Sequence, residues 1–168
     1  MKKNKTRYVC HAAMIAALYV VLTWLSALLG LSSGSPQCRL GEALCILPLF
    51  SSAAVPGLGV GCFVANLLFS PTPADLIFGT MATVLGAVGC RMIGRVWRSR
   101  HWLCLAVATL PNTLANTVII PLILRYAYGL DKAYPLLVLE VGVGELISST
   151  VLGIFLALAL RARMKSAR

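Results

Sequence analysis

Long apolar runs separated by short polar stretches dominate the chain. Tyr8 to Leu31 is apolar almost throughout and follows a basic stretch. A secretory apolar region holds roughly 7 to 15 residues; this run is longer and leads into more apolar sequence, so it predicts a membrane helix and not a cleavable signal. Leu31 to Leu40, LSSGSPQCRL, has the Ser, Gly and Pro content of a loop. The next block, Gly41 to Phe69, is interrupted at Val55-Pro56-Gly57-Leu58-Gly59. Proline lacks an amide proton and glycine tolerates positive φ, so a tight turn is expected there, between short spans at 41–55 and 57–70. A full crossing of ~30 Å of hydrocarbon takes about 20 helical residues, so these two must be buried by neighbours, thin the bilayer or end in a cavity. Short, Gly/Pro-interrupted spans often line binding sites. Three further helices are expected over Leu76 to Gly94, Trp102 to Arg125 and Tyr134 to Leu160. The predicted fold is an all-α membrane protein, a bundle of six transmembrane helices forming one domain over residues 1–168.

Composition agrees. The chain is 59% hydrophobic and 12% charged, against roughly 25% charged in soluble domains, which excludes an ordinary water-soluble globule. A net charge of +10 would suggest nucleic acid on a soluble protein, but the placement of the basic residues argues otherwise. Lys2, Lys3, Lys5 and Arg7 precede the first span, Arg91, Arg95, Arg98 and Arg100 fill one connection, and Arg161, Arg163, Lys165 and Arg168 form the tail. Basic flanks mark cytoplasmic ends, so both termini are expected inside, as six spans require, with Arg39, Arg125 and Lys132 on the outer side.

Catalytic chemistry is missing. There is no GxxxxGK[ST], GxSxG or HExxH pattern. The cysteines at 10, 38, 45, 62, 90 and 104 stand singly, and His11 and His101 fall at helix ends; no metal site, cofactor or enzyme activity is expected. What remains is the handling of a solute in lipid.

Five carboxylates, Glu42, Asp75, Asp131, Glu140 and Glu145, lie in the expected outer half or near the midplane. An ionised group in hydrocarbon costs at least about 2.5 kcal/mol, so those inside spans need a partner or a role. Asp75 has a local explanation, a capping arrangement with Thr72 as N-cap and Pro73 first in the helix. Asp131 reads as an N-cap or solvated loop charge. Glu42, in a first helical turn three residues after Arg39, either neutralises that arginine or forms one wall of a polar pocket. Glu140 and Glu145 are about 9 and 16 Å into the last helix and about 140° apart around it, so one face cannot present both. Glu140, nearer the outer mouth, is the expected pocket residue, with Glu145 pairing a buried arginine or amide. Asn112 and Asn116 share a face at i and i+4; they and Asn66 either line the same pocket or join helices. Ala12, Ala13, Ala16 and Ala17 make a small-xxx-small surface for close helix approach, within the chain or against a partner.

These features resemble the substrate-binding S components of energy-coupling factor (ECF) transporters. The wording Arg39-Leu40-Gly41-Glu42-Ala43-Leu44 with Leu47-Pro48, Pro56-Gly57-Leu58-Gly59-Val60-Gly61-Cys62 with Ala65-Asn66-Leu67, Asp75-Leu76-Ile77-Phe78-Gly79-Thr80 and the stretch from Glu140 to Glu145 is similar to the queuosine-precursor transporter family. The resemblance implies capture of a 7-deazaguanine (queuine, queuosine or the aminomethyl precursor) on the outer face of the cell membrane. It implies docking on a transmembrane coupling subunit driven by two cytoplasmic ATPases, with no nucleic-acid partner. A carboxylate would accept two hydrogen bonds from the guanine-like edge, asparagine amides would read the opposite side, and Tyr126, Tyr128, Tyr134 or Trp24 would stack on the ring. An S component for thiamine, riboflavin or biotin, or a self-sufficient facilitator or exporter, would fit the same composition.

Overall fold

The structure, a computed structural model, describes residues 2–31, 38–70, 72–97 and 102–166. The loop stretch 32–37, Pro71, Arg98, Arg100, His101 and Arg168, invoked above for turns and basic flanks, lie outside the described residues, as do the side chains of Lys2, Lys3 and Lys165.

Among the described residues the chain is helical between short connections. Helix α1 (Lys2–Leu28) is followed by a 3-10 helix (Leu40–Leu49) and by α2 (Ala54–Phe69). A π-helical turn (Asp75–Gly79) leads into α3 (Thr80–Val96), and α4 (Trp102–Tyr126) follows. The last rod is α5 (Tyr134–Glu145), a π-helical segment (Leu146–Leu152) and α6 (Gly153–Ser166). Four helical stretches are long and apolar enough to cross a membrane: Lys5–Leu28, Asp75–Val96, Trp102–Tyr126 and Tyr134–Met164. Leu40–Leu49 and Ala54–Phe69 are apolar but shorter.

The expected tight turn at 55–59 is not formed. The chain reverses at 50–53, where the amides of Phe50 and Ser51 both bond to the Leu47 carbonyl and Ser51 Oγ accepts from the Ala53 amide. Pro56 and Gly57 lie in the first turn of α2. A proline there removes an amide that the first turn leaves unbonded in any case, so the same residue that suggests a turn also suits a helix start. The glycines serve packing. A Cβ on Gly57 would come within 2.7 Å of the Ala12 carbonyl oxygen, and one on Gly61 within 2.9 Å of that of Ala16. α1 and α2 therefore run parallel in close contact, 12 against 57 and 16 against 61, and the 3-10 helix carries the chain back between them.

This contact divides the four alanines. Ala12 and Ala16 pack within the chain, whereas Ala13 and Ala17 are exposed. The inward stripe continues as Tyr19, Thr23 and Ser26, all buried.

Both chain ends reach the 50–53 reversal. The Tyr8 hydroxyl donates to the Ser52 carbonyl at 3.3 Å, and the Arg161 guanidinium lies 5.9 Å from the centre of the Phe50 ring. Arg91 joins them by donating to the Pro48 carbonyl at 3.1 Å. The two termini thus share one end of the bundle.

Candidate functional site

The 3-10 helix Leu40–Leu49 is the hub. Gly41 allows it to press on α1, since a Cβ there would lie 3.2 Å from the Tyr19 ring, and the Leu40 amide donates to Ser26 Oγ at 2.8 Å. Its Glu42 is only 2% exposed. Oε1 accepts from the Tyr19 hydroxyl in a short hydrogen bond, and Oε2 accepts from Asn112 Nδ2 at 2.9 Å and from Cys45 Sγ at 3.3 Å. Asn112 Nδ2 also donates to Ser149 Oγ at 3.1 Å. One amide thus ties the 3-10 helix to α4 and to the π-helical segment of the last rod. Glycine permits this too: a Cβ on Gly86 of α3 would come within 2.5 Å of Asn112 Cα.

A second group is built on Arg39, the residue just ahead of the 3-10 helix. Arg39 donates from Nη1 to Asn66 Oδ1 at 2.9 Å and pairs through Nη2 with Asp75 Oδ2 at 3.6 Å. Asn66 Nδ2 donates to the Asp75 carbonyl at 2.9 Å, and the Tyr128 hydroxyl donates to Asp75 Oδ2 at 2.6 Å. Arg39 therefore does not spend its charge on Glu42. Nor is Asp75 a cap: it sits in the π-helical turn, buried, facing Arg39 and Tyr128. Burial and the Asp75 carboxylate push the Tyr128 phenol up to about 12. π-helical turns recur at functional sites. Here both of them supply residues to the buried polar groups.

Between the two groups lie polar atoms with nothing to bond. Asn112 Oδ1, Asn116 Nδ2, Thr117 Oγ1 and Glu145 Oε2 are buried and have no hydrogen-bond partner, and Arg39 Nε is in the same condition. Asn116 Nδ2, Thr117 Oγ1 and Glu145 Oε2 lie between α4 and α5, while Asn112 Oδ1 faces Gly86 of α3. Asn112 and Asn116 share a face of α4, Glu145 lies against Asn116, and Thr117 faces Gly142 one turn before Glu145. Glu145 is also within electrostatic reach of Glu42 and Arg39, and Cys38 borders it from the strand-like entry to the 3-10 helix. Buried polar groups are almost always satisfied, and several orphaned atoms in one place can be satisfied by a polar ligand. The set offers two acceptors, an amide donor and a hydroxyl, the complement of a planar heterocycle carrying N–H and carbonyl edges.

The expectation for the last helix changes accordingly. Glu140, the expected pocket residue, is held through both oxygens by Lys132, at 3.0 and 3.1 Å, with its side chain 22% exposed. Lys132, expected as an outer charge, lies close enough along the chain to engage the first carboxylate of the helix. Glu145 is the one that faces the Glu42–Asn112 group. Tyr19 and Ser149 join the buried polar groups although the sequence does not single them out, and Tyr128, one of four aromatic residues that could stack on a ring, engages Asp75 through its hydroxyl. A separate cleft of about 440 Å³, lined by Arg125, Tyr126 and Gly129 to Ala133, holds none of these buried residues.

No solved structure matches the chain. A relative from Lactococcus lactis subsp. cremoris, named queuosine precursor transporter QueT, is 34% identical over 103 residues, covering 61% of this chain and 60% of the relative. The aligned stretch thus spans less than two thirds of that protein's length. The family model for the QueT transporter matches residues 9–162, which include every polar residue of the buried groups and all but the outermost residues of the first and last spans. With that match over nearly the whole chain, this multi-pass membrane protein belongs to the QueT transporter family.

Proposed function

We propose that the chain is the substrate-capture subunit of an ECF-type importer and binds a queuosine precursor of the 7-deazaguanine class. The observation that carries this reading is the group of orphaned polar atoms between α4 and α5, in a chain whose similar relative is named for queuosine precursors. Asn112 and Asn116 touch the base, Thr117 completes the edge, and Glu145 lies beside the ring. Glu42 and Asn66 hold Asn112 and Arg39 in place. Arg39, Asp75 and Tyr128 close the site from the side opposite the termini, and Glu140 with Lys132 borders the approach. The basic flanks put the termini in the cytoplasm under the positive-inside rule, so this closure faces outward.

The chain has no phosphate-binding loop, so ATP-driven uptake needs a coupling subunit and two ATPases, for which the exposed Ala13 and Ala17 form the docking surface. Titration of the purified protein with 7-deazaguanines, with thiamine, riboflavin and biotin as controls, tests the substrate class. Saturable binding of the deazaguanines alone is expected, and loss of that binding in Asn116→Ala. Uptake in cells lacking any coupling subunit would instead support a self-sufficient facilitator.

A further inference from the structure

The buried charges of the site do not balance. Glu42, Asp75 and Glu145 are buried carboxylates, and Arg39 is the buried cation among the described residues. Arg39 is engaged with Asp75 and Asn66. Lys132, the nearest basic side chain along the chain to α5, is engaged with Glu140. Glu42 has three neutral donors, from Tyr19, Asn112 and Cys45. Glu145 forms no ion pair: its Oε2 is without a hydrogen bond, the neutral Asn116 side chain lies beside it, and the Arg39 charge that reaches it is committed to Asp75. A carboxylate taken out of water needs a positive partner or a proton.

We infer that Glu145 is the specificity-determining residue for a positively charged amine on the substrate, which supplies the cation that the protein itself withholds from this carboxylate. The inference rests on the reading of the chain as a carrier of queuosine precursors. An ammonium has three donors and no acceptor, so it can satisfy the orphaned carboxylate oxygen, whereas a nitrile has no donor to offer it. A site built around an unmatched buried charge rejects a neutral isostere because that ligand leaves the charge uncompensated.

The test compares two probes of one ring system, 7-aminomethyl-7-deazaguanine, protonated at neutral pH, and the neutral 7-cyano-7-deazaguanine. Affinities are measured by calorimetry on the full-length wild type, Glu145→Gln and Glu145→Asp. Wild type is expected to favour the amine by about 100-fold, as a charge-assisted contact in a buried site implies. Glu145→Gln should bring the two probes to within about threefold by weakening the amine and sparing the nitrile, while Glu145→Asp, which retains the charge, should keep most of the preference. Equal wild-type affinities overturn the inference and leave the deazaguanine reading standing. So does a Glu145→Gln protein that weakens both probes alike or keeps the full preference. Failure of wild type to bind either probe overturns both readings.

Discussion

The hydroxyl of Tyr128 donates to Asp75 Oδ2 at 2.6 Å, joining the connection after α4 to the π-helical turn ahead of α3, with Arg39 on the same carboxylate oxygen. Three segments remote in sequence are held by one carboxylate at one end of the bundle. Tyr128→Phe removes a hydrogen bond to a charged acceptor, typically about 1.5 to 3 kcal/mol. It is expected to speed substrate release by about tenfold while leaving the orphaned atoms between α4 and α5 in place. Chase of a bound labelled deazaguanine measures it; an unchanged release rate would show that this contact does not close the site.

The same contact responds to alkali. Because the phenol is raised to about 12 by burial and then by Asp75, the folded protein favours the protonated, donating form. Its contribution to stability is full below the ordinary phenol value near 10 and is lost as pH rises through about 12. The ultraviolet difference titration between wild type and Tyr128→Phe should contain a component with that midpoint. Asp75→Asn should move it down, since the negative charge beside the phenol is gone.

Glu140 and Asp75 should differ as mutation sites. The Lys132–Glu140 pair is partly exposed, with side chains 38% and 22% accessible, and pairs of that kind contribute about 0 to 1 kcal/mol. Asp75→Asn strands Arg39 in the interior, which costs about 3 to 5 kcal/mol. Melting of the two purified variants should show a far larger loss for Asp75→Asn. Deazaguanine affinity should change less than about threefold in Glu140→Gln. An affinity loss there comparable with that of Glu145→Gln would return the pocket to the outer carboxylate.

Glycine 86 has no room for a side chain. A methyl group there would meet the Asn112 backbone at 2.5 Å, so α3 and α4 must separate in Gly86→Ala. Overpacking of this kind costs typically about 1 to 3 kcal/mol, and the displaced Asn112 would release Glu42. Both the melting temperature and deazaguanine binding should fall. Gly142→Ala, whose nearest contact would be 3.4 Å from Thr117, should retain binding. Similar behaviour of the two variants would mean that the α3–α4 contact does not position Asn112.

The two alanine pairs separate coupling from folding. Ala16 lies against Gly61, so Ala16→Trp is expected to destabilise the protein and lose substrate binding with it. Ala13 is exposed; Ala13→Trp should bind normally in detergent yet fail in uptake with the coupling subunit and ATPases. Unimpaired uptake by Ala13→Trp would place the docking surface elsewhere.

The polar residues that matter were legible because charge and amide groups stand out in apolar sequence. Glu42, Asp75, Glu145, Arg39, Asn66, Asn112 and Asn116 are all buried, in the two groups or between them. Tyr19 and Ser149 were not legible, as tyrosine and serine are unremarkable in a membrane helix. Tyr19 nonetheless lies on the Ala12, Ala16, Thr23 and Ser26 face, and that spacing could have pointed to it. Depth along the last helix can be counted, but depth does not say which neighbour a face meets, so the sequence does not separate the surroundings of Glu140 from those of Glu145. Side-chain pattern also does not distinguish a ladder of i→i+3 or i→i+5 bonds from the α-helical one. The 3-10 hub and both π-helical stretches therefore became visible only in the structure.

The bond from Asn112 to Glu42 spans 70 residues, which bears on how the protein is made. When the ribosome has delivered α1, the 3-10 helix and α2 to the membrane, Glu42 has Tyr19 and Cys45 beside it but neither Asn112 nor Ser149. Its second oxygen obtains an amide donor only once α4 has been inserted. The π-helical stretch that brings Ser149 comes later still. The N-terminal half is thus a nascent intermediate whose central carboxylate awaits a partner, and chains cut short before Asn112 should be substrates for membrane quality-control proteases.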